Sequence, residues 1–212
     1  MTTSTNTILL FTRYPHPGKC KTRLIPEYSA AAAADIHRQL VAHSHKTISN
    51  YLAQHNNTTY HIYYTDASVK EMKDWLGEQQ FVKQQGQNLG ERMAGALRTA
   101  LQSAERCLLM GSDCPGITPE LLQNGLAALQ ENDIVLGPAY DGGYYLIGMR
   151  KKPSFKQIEH LFSDIPWGSA KVLTRTIERI QELQLPFQLL PQLHDIDTPD
   201  DLHYFNNHPH AE

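Results

Sequence analysis

Arg106–Gly111 reads RCLLMG and is followed at once by Ser112-Asp113-Cys114-Pro115. A short apolar run of this kind is typical of a strand buried on both faces, as in a parallel sheet. Two helix-start signals flank it. Asn88-Leu89-Gly90-Glu91 has the spacing of a capping box, and Thr118-Pro119-Glu120 has an N-cap threonine followed by a first-turn proline. The helix–strand–helix order predicts one unit of an α/β sheet.

The same alternation continues on both sides of this unit. We predict further strands at Thr7–Phe11, Tyr60–Thr65, Phe81–Gln85, Asp133–Gly137, Tyr144–Gly148 and Phe187–Leu190, and further helices at Ser29–Gln54, Val69–Leu76, Ser169–Leu183 and from Thr198 onwards. Repeated strand–helix units with short connections predict a mostly parallel mixed sheet flanked by helices on both faces, an α/β/α sandwich. No repeat or linker divides the chain, so we expect a single domain over 1–212, with an ordered core at 6–205 and a polar tail at 206–212.

Composition excludes several classes of protein. The 212 residues carry a net charge of −3, which gives no electrostatic footprint for nucleic acid. No apolar run is long enough to span a membrane, and the N-terminus lacks the basic and apolar regions of a signal peptide. Three cysteines without a CxxC pair argue against a disulfide scaffold or a zinc ribbon. We therefore expect a soluble cytoplasmic protein.

A cation-rich loop follows the first predicted strand. Residues 13–24 read RYPHPGKCKTRL and place four cations within a short segment of an acidic chain. Two prolines and a glycine constrain this loop, which suits the presentation of charge to a polyanion. Arginine forms two hydrogen bonds to phosphate oxygens, whereas lysine acts as a point charge. The loop is neither a Walker A loop nor a GxGxxG motif. A solvated basic loop is the alternative to phosphate binding by Arg13, Gly18, Lys21 and Arg23.

Carboxylates follow two other predicted elements. Asp113 lies where a parallel sheet forms its ligand crevice, at the carboxyl end of a strand. Its oxygens suit Mg²⁺ or Mn²⁺ that bridges phosphates, although a turn-capping role is equally open. Asp197 is a candidate second ligand, and Asp195 and His194 are weaker ones. Cys114 is more typical of a buried, inert thiol than of a nucleophile.

A Gly-Gly pair joins two of the predicted strands, in Tyr140-Asp141-Gly142-Gly143-Tyr144. Paired glycines allow a ligand to approach the backbone closely, and they also form tight hairpins. Asp141 is accordingly either a turn former or a carboxylate that points at a sugar or acceptor hydroxyl.

Six segments follow one another along residues 8–202. They are Arg13-x-Pro15-x-x-Gly18-x-x-Lys21-Thr22-Arg23-Leu24, Asn88-Leu89-Gly90-Glu91-Arg92-Met93, Gly111-Ser112-Asp113-Cys114-Pro115, Tyr140-Asp141-Gly142-Gly143-Tyr144-Tyr145, Pro166-Trp167-Gly168 and Asp195-Ile196-Asp197-Thr198-Pro199. In this order they resemble the glycosyltransferase-A superfamily of nucleotide-diphospho-sugar transferase folds. More narrowly, they resemble a bacterial family of small glycosyltransferases of the radical-SAM/selenobiology-associated type, and more distantly the molybdopterin and phospholactate nucleotidyltransferases.

The resemblance implies a divalent-metal-dependent transferase with a nucleotide-sugar donor and a small-molecule acceptor. A nucleotidyltransferase that uses an NTP and a non-catalytic nucleotide-binding module are the alternatives. By the same resemblance, the phosphates and the nucleotide would contact Arg13, Gly18, Lys21, Arg23, Asn88, Gly90 and Arg92, Mg²⁺ or Mn²⁺ would bind Asp113 and Asp197, and the sugar or acceptor pocket would contain Gly142, Gly143 and Trp167. We expect Asp113, Asp141 and Lys21 to be catalytic, with Asp141 orienting or deprotonating an acceptor hydroxyl.

Overall fold

Seven strands form one mixed sheet in the order β3-β2-β1-β4-β6-β5-β7, in a computed structural model that describes residues 5–207. Strand β6 runs antiparallel to β4 and β5, and all other neighbouring pairs are parallel. The predicted mostly parallel mixed sheet is therefore confirmed. The strands are β1 (Asn6–Arg13), β2 (Thr58–Thr65), β3 (Phe81–Lys83), β4 (Arg106–Met110), β5 (Ile134–Pro138), β6 (Tyr144–Arg150) and β7 (Phe187–Leu189).

The helices begin where the sequence carries capping residues. The side chains of Ser29, Asn88 and Thr118 each accept a hydrogen bond from a backbone N–H of the first turn that follows. The helices are α1 (Ala30–Leu52), α2 (Val69–Leu76), α3 (Leu89–Ser103), α4 (Pro119–Ala128), α5 (Phe155–Leu161), α6 (Val172–Glu182) and α7 (Pro199–Asn207). None of the helices within residues 5–207 is both long and apolar enough to cross a membrane.

Two details of the sequence prediction need correction, and one lies outside the described residues. Helix α5 was not predicted, although Ser154 and Gln157 form a complete capping box at its start. Helix α6 begins at Val172 rather than Ser169, because Ser169 lies in a turn whose backbone N–H donates to the Pro166 carbonyl. Residues 208–212 of the predicted polar tail lie outside the described residues.

Two separate apolar layers hold the helices to the sheet. Helices α1, α2 and α4 pack on one face, which Ile8 and Leu10 of β1 share, and helices α3, α5 and α6 pack on the other, with Leu9 and Phe11. Successive side chains of a strand point to opposite faces, so a continuous apolar run is needed when both faces are covered. The predicted helix layers on both faces are confirmed.

Strand β6 begins at the edge of the sheet where β1, β4 and β5 end, because it runs antiparallel to β4 and β5. Tyr144 at the start of β6 pairs with Pro138 at the end of β5. The turn between them uses Gly142, whose φ of 87° is a left-handed conformation that favours glycine. The loops after β1, β4 and β5 consequently meet at one edge of the sheet.

Candidate functional site

Lys21 lies at the centre of a cation–carboxylate cluster at this edge. Its Nζ is 2.9 Å from Asp113 Oδ1 and 3.6 Å from Asp197 Oδ1, and it also donates to the Ile196 carbonyl. The Lys21 side chain is only 3 % exposed. Three oxygens thus surround one enclosed ammonium group, as a buried charge requires.

The loop after β1 turns sharply, and the turn directs the Lys21 side chain towards Asp113 and Asp197. Gly18 has a φ of 81° and Lys21 itself a φ of 48°, both in the left-handed region. A short 3-10 turn, Thr22–Leu24, follows and carries Arg23 on the solvent side. Arg13 stabilises the loop, since its Nη1 donates to the Lys19 carbonyl at 2.9 Å.

Arg23 contacts Asp197, one of these two carboxylates, from the solvent side. Its Nη1 is 2.6 Å from Asp197 Oδ2, and its side chain is 62 % exposed. Asp201 fixes the backbone at this point, because its Oδ2 accepts hydrogen bonds from the backbone N–H groups of Asp197 and Thr198. The Asp197 carboxylate is therefore shared between a buried and an exposed cation.

Backbone contacts hold the two acidic segments together. The Ile196 N–H donates to the Asp113 carbonyl at 2.8 Å, and the Cys114 thiol donates to the His194 carbonyl at 3.1 Å. Burial raises the pKa of Cys114 to about 12, so this thiol stays protonated. The prediction of a buried thiol at Cys114 is confirmed.

Asp113 remains ionised despite its enclosure. Loss of water around the carboxyl would raise its pKa, but the Lys21 ammonium, together with hydrogen bonds from Lys21 and Ser112, holds the pKa below its usual value. The carboxylate is 47 % exposed towards the neighbouring cavity. It can therefore contact a ligand while it still holds Lys21.

His37 is a neighbour of the cluster that the sequence analysis missed. Its Nε2 donates to the Arg13 carbonyl at 3.1 Å, and its Nδ1 lies 3.9 Å from Asp113 Oδ1. Burial lowers the pKa of His37, so the ring is neutral. The available signal was its position, because His37 lies on the apolar stripe of α1 between Ala33 and Val41.

A cavity of about 350 Å³ opens beside the cluster. Burial, and then the nearby charge of Asp141, raises the pKa of Asp195 to about 6. Asp195, a weaker candidate from the sequence, is thus part of the same acidic wall. The charged residues that line the cavity are Arg23, Asp113, Asp141, Asp195 and Asp197, and Gly143, Tyr144 and Trp167 are among its other walls.

Asp141 stabilises the turn after β5 and also lines the cavity. Its Oδ1 accepts a hydrogen bond from the Gly143 N–H at 2.7 Å, which stabilises the turn. The same residue lines the cavity. Gly142 does not line that cavity; its carbonyl instead accepts a hydrogen bond from the Leu173 N–H at the start of α6.

Three residues that were expected to contact the nucleotide line a different cavity. Asn88, Gly90 and Arg92 line a second, larger cavity of about 930 Å³, which shares Trp167 with the first. Asn88 caps α3, and Arg92 Nε donates to the Gly86 carbonyl. At Gly90 an added Cβ would lie 3.0 Å from the Trp167 ring, so this glycine permits close packing.

Asp113 and Asp197 suit a metal ion whose coordination is completed by oxygens of the substrate. Within residues 5–207, no three His, Cys, Asp or Glu side chains are grouped so as to hold an ion. Mg²⁺, however, is commonly bound by one or two carboxylates plus substrate phosphates. Asp113 and Asp197 supply that pair, and each already directs its Oδ1 at the Lys21 ammonium.

Comparisons with known proteins agree with this architecture. The model of the family DUF2064, described as "uncharacterized protein conserved in bacteria", matches residues 47–169. A crystal structure of a candidate nucleotide-diphospho-sugar transferase from Desulfovibrio desulfuricans G20 is 36 % identical, with 99 % of this chain and 90 % of that chain covered and a TM-score of 0.88. The comparison with curated proteins finds no match.

Two more distant structures share the fold. CMP:2-keto-3-deoxy-manno-octonic acid synthetase in complex with CTP is 11 % identical, covers 95 % of this chain and 97 % of its own, and has a TM-score of 0.56. Rv0371c from Mycobacterium tuberculosis H37Rv, in complex with manganese, is 15 % identical, with 95 % and 97 % covered and a TM-score of 0.57. The resemblance drawn from the six sequence segments is confirmed at the level of fold and family.

Proposed function

The chain belongs to the DUF2064 family, and from this premise we propose that it is a divalent-metal-dependent glycosyltransferase with a nucleotide-diphospho-sugar donor. One observation carries the proposal. Lys21 and Arg23 contact Asp113 and Asp197 beside a cavity at the carboxyl edge of the sheet, where α/β proteins bind their ligands. A phosphate chain and its counter-ion need just this combination of cations and hard oxygen ligands.

The cluster assigns separate tasks to its residues. Arg23 is exposed, so it is free to move from Asp197 to a diphosphate oxygen. Lys21 would neutralise charge on the same group, and Asp113 and Asp197 would hold the metal ion. When bound, such an ion lowers the charge that builds up on a departing diphosphate. The manganese bound to Rv0371c, which has the same fold, supports the metal in this proposal.

The same cavity would receive the acceptor. Asp141 lines it together with Arg23 and would orient or deprotonate an acceptor hydroxyl. Gly143 and Trp167 also line the cavity and would contact the sugar or acceptor, and Gly142 forms the adjoining turn.

Incubation with UDP-, GDP- and CDP-sugars, Mg²⁺ or Mn²⁺ and a pool of hydroxyl-bearing small molecules tests the proposal. We expect release of a nucleoside diphosphate that requires the metal and is lost in Asp113→Asn. Asp74→Asn is the matched control, since Asp74 is an exposed carboxylate on α2 that pairs with Lys70. Failure of every donor to release diphosphate would overturn the proposal.

Nucleotidyl transfer is the second candidate. It is favoured by the synthetase with bound CTP, which has the same fold. The same cations would then stabilise an α-phosphate under attack, and pyrophosphate would leave. Pyrophosphate release from an NTP, without diphosphate release from any nucleotide sugar, would select this reaction. A nucleotide-induced rise in Tm without turnover in either assay would instead select a nucleotide-binding module.

A further inference from the structure

The Lys21 ammonium occupies the very position in which two carboxylates converge. Asp113 Oδ1 and Asp197 Oδ1 lie 2.9 Å and 3.6 Å from Nζ, and the Ile196 carbonyl completes a set of three oxygens. Carboxylate and carbonyl oxygens are also the groups that bind hard divalent cations. The cluster is therefore a cation site that the protein fills with its own side chain.

We propose that the Lys21 ammonium and a divalent cation occupy this position alternately, so that Lys21 keeps the metal out until the donor's phosphates arrive. The inference rests on the proposed function in so far as Asp113 and Asp197 are taken as the metal ligands. It goes further by assigning Lys21 a second task, control of metal entry, beside the binding of phosphate.

Burial is the reason why the exchange requires phosphate. The Lys21 side chain is 3 % exposed, so an ammonium displaced from the carboxylates needs new acceptors. The oxygens of the donor's phosphates are such acceptors. Metal and phosphate should consequently bind together, and each should raise the affinity for the other.

Arg23 provides a matched comparison within the same cluster. It also contributes one positive charge beside Asp197, at 2.6 Å from Oδ2. Its side chain is 62 % exposed and it does not contact Asp113. If Lys21 opposed metal binding only through its net charge, the removal of either cation would have the same effect. If it occupies the site, the removal of Lys21 has a much larger effect.

Mn²⁺ binding to the free protein, followed by electron paramagnetic resonance, separates these two cases. We expect Lys21→Met to lower the Kd for Mn²⁺ about tenfold or more, and Arg23→Met to lower it by less than about threefold. Addition of Asp113→Asn to Lys21→Met should abolish the gain. Equal effects of the two single variants, or no gain in Lys21→Met, would overturn the inference.

Two further measurements keep the test independent of one variant and of turnover. Lys21→Gln also removes the ammonium and should show the same gain in Mn²⁺ affinity, should Lys21→Met fail to fold. In the wild-type protein, the ¹⁵N signal of the Lys21 ammonium should shift when Mg²⁺ and pyrophosphate are added together. An unchanged signal would contradict the exchange. Metal affinity is measured without a donor, so the inference and the proposed function can fail separately.

Discussion

A double-mutant cycle on Lys21 and Asp113 should reveal a coupling free energy of about 1–3 kcal/mol in favour of the folded protein. The cycle compares Lys21→Met, Asp113→Asn and the double variant with the wild type. Each single change leaves one charged group without its partner, whereas the double change removes both. The assay is urea-induced unfolding, which gives the free energy of unfolding of all four proteins.

The structure sets this magnitude. At 2.9 Å and an effective dielectric constant of about 20, the Coulomb attraction is roughly 6 kcal/mol. Two features reduce the measured coupling below that figure. Asp113 is 47 % exposed, so water screens it, and Asp197 continues to neutralise Lys21 when Asp113 is changed. The near-complete burial of Lys21 keeps the remaining coupling above that of a surface ion pair.

The exposed pair Arg23–Asp197 is the matched control for this cycle. Its atoms are closer, at 2.6 Å, but its arginine is 62 % exposed. We therefore expect a coupling below about 1 kcal/mol for the cycle of Arg23→Met and Asp197→Asn. A Lys21–Asp113 coupling below about 0.5 kcal/mol, or one no larger than the control, would refute the argument from burial.

Gly90→Ala should destabilise the protein by about 1–3 kcal/mol in urea unfolding, because its Cβ would lie 2.8 Å from the Phe162 carbonyl oxygen and 3.0 Å from the Trp167 ring. Gly95→Ala on the same helix meets nothing within 4 Å and should be neutral or stabilising by up to about 1 kcal/mol, and equal losses would contradict this account. Asp141→Asn keeps a side-chain oxygen that accepts the Gly143 N–H, so Tm should stay unchanged while the transfer rate falls about 10²-fold or more. An unchanged rate would show that Asp141 is not catalytic. Burial lowers the pKa of His45 in the folded protein, so the unfolded chain takes up the proton at higher pH, and the free energy of unfolding should fall as pH drops through about 6.5. His45→Gln should lose less stability than the wild type between about pH 7.5 and about pH 5.5, and an equal loss would show that His45 does not cause this pH dependence.

The fold followed from the sequence because local signals and burial agree. The apolar run Thr7–Phe11 predicts a strand covered on both faces, and its side chains do pack into both apolar layers. Capping residues mark where α1, α3 and α4 begin. Helix α5 was missed because its seven residues are too few to give a long periodic pattern. The antiparallel direction of β6 follows from the hairpin at Gly142, which the sequence allowed but did not require.

The candidate site was predictable only in part. Residues directly after strands, such as Asp113, reach the carboxyl edge of the sheet by topology alone. Which partners they contact depends on loop conformation. The left-handed backbone of Lys21 turns its side chain inward onto two carboxylates, and no sequence signal specifies that turn. His37 approaches Asp113 from a helix that packs across the sheet, a contact between residues far apart in the chain.

Calorimetric comparison of nucleoside diphosphates with the corresponding free nucleosides, in the presence of Mg²⁺, tests the central claim most directly. The protein should bind the diphosphates far more tightly, and Arg23→Ala and Lys21→Ala should remove most of that difference while they leave nucleoside affinity nearly unchanged. Equal losses for nucleosides and diphosphates in these variants would show that the cations do not hold a phosphate chain, and would contradict the assignment of this cluster.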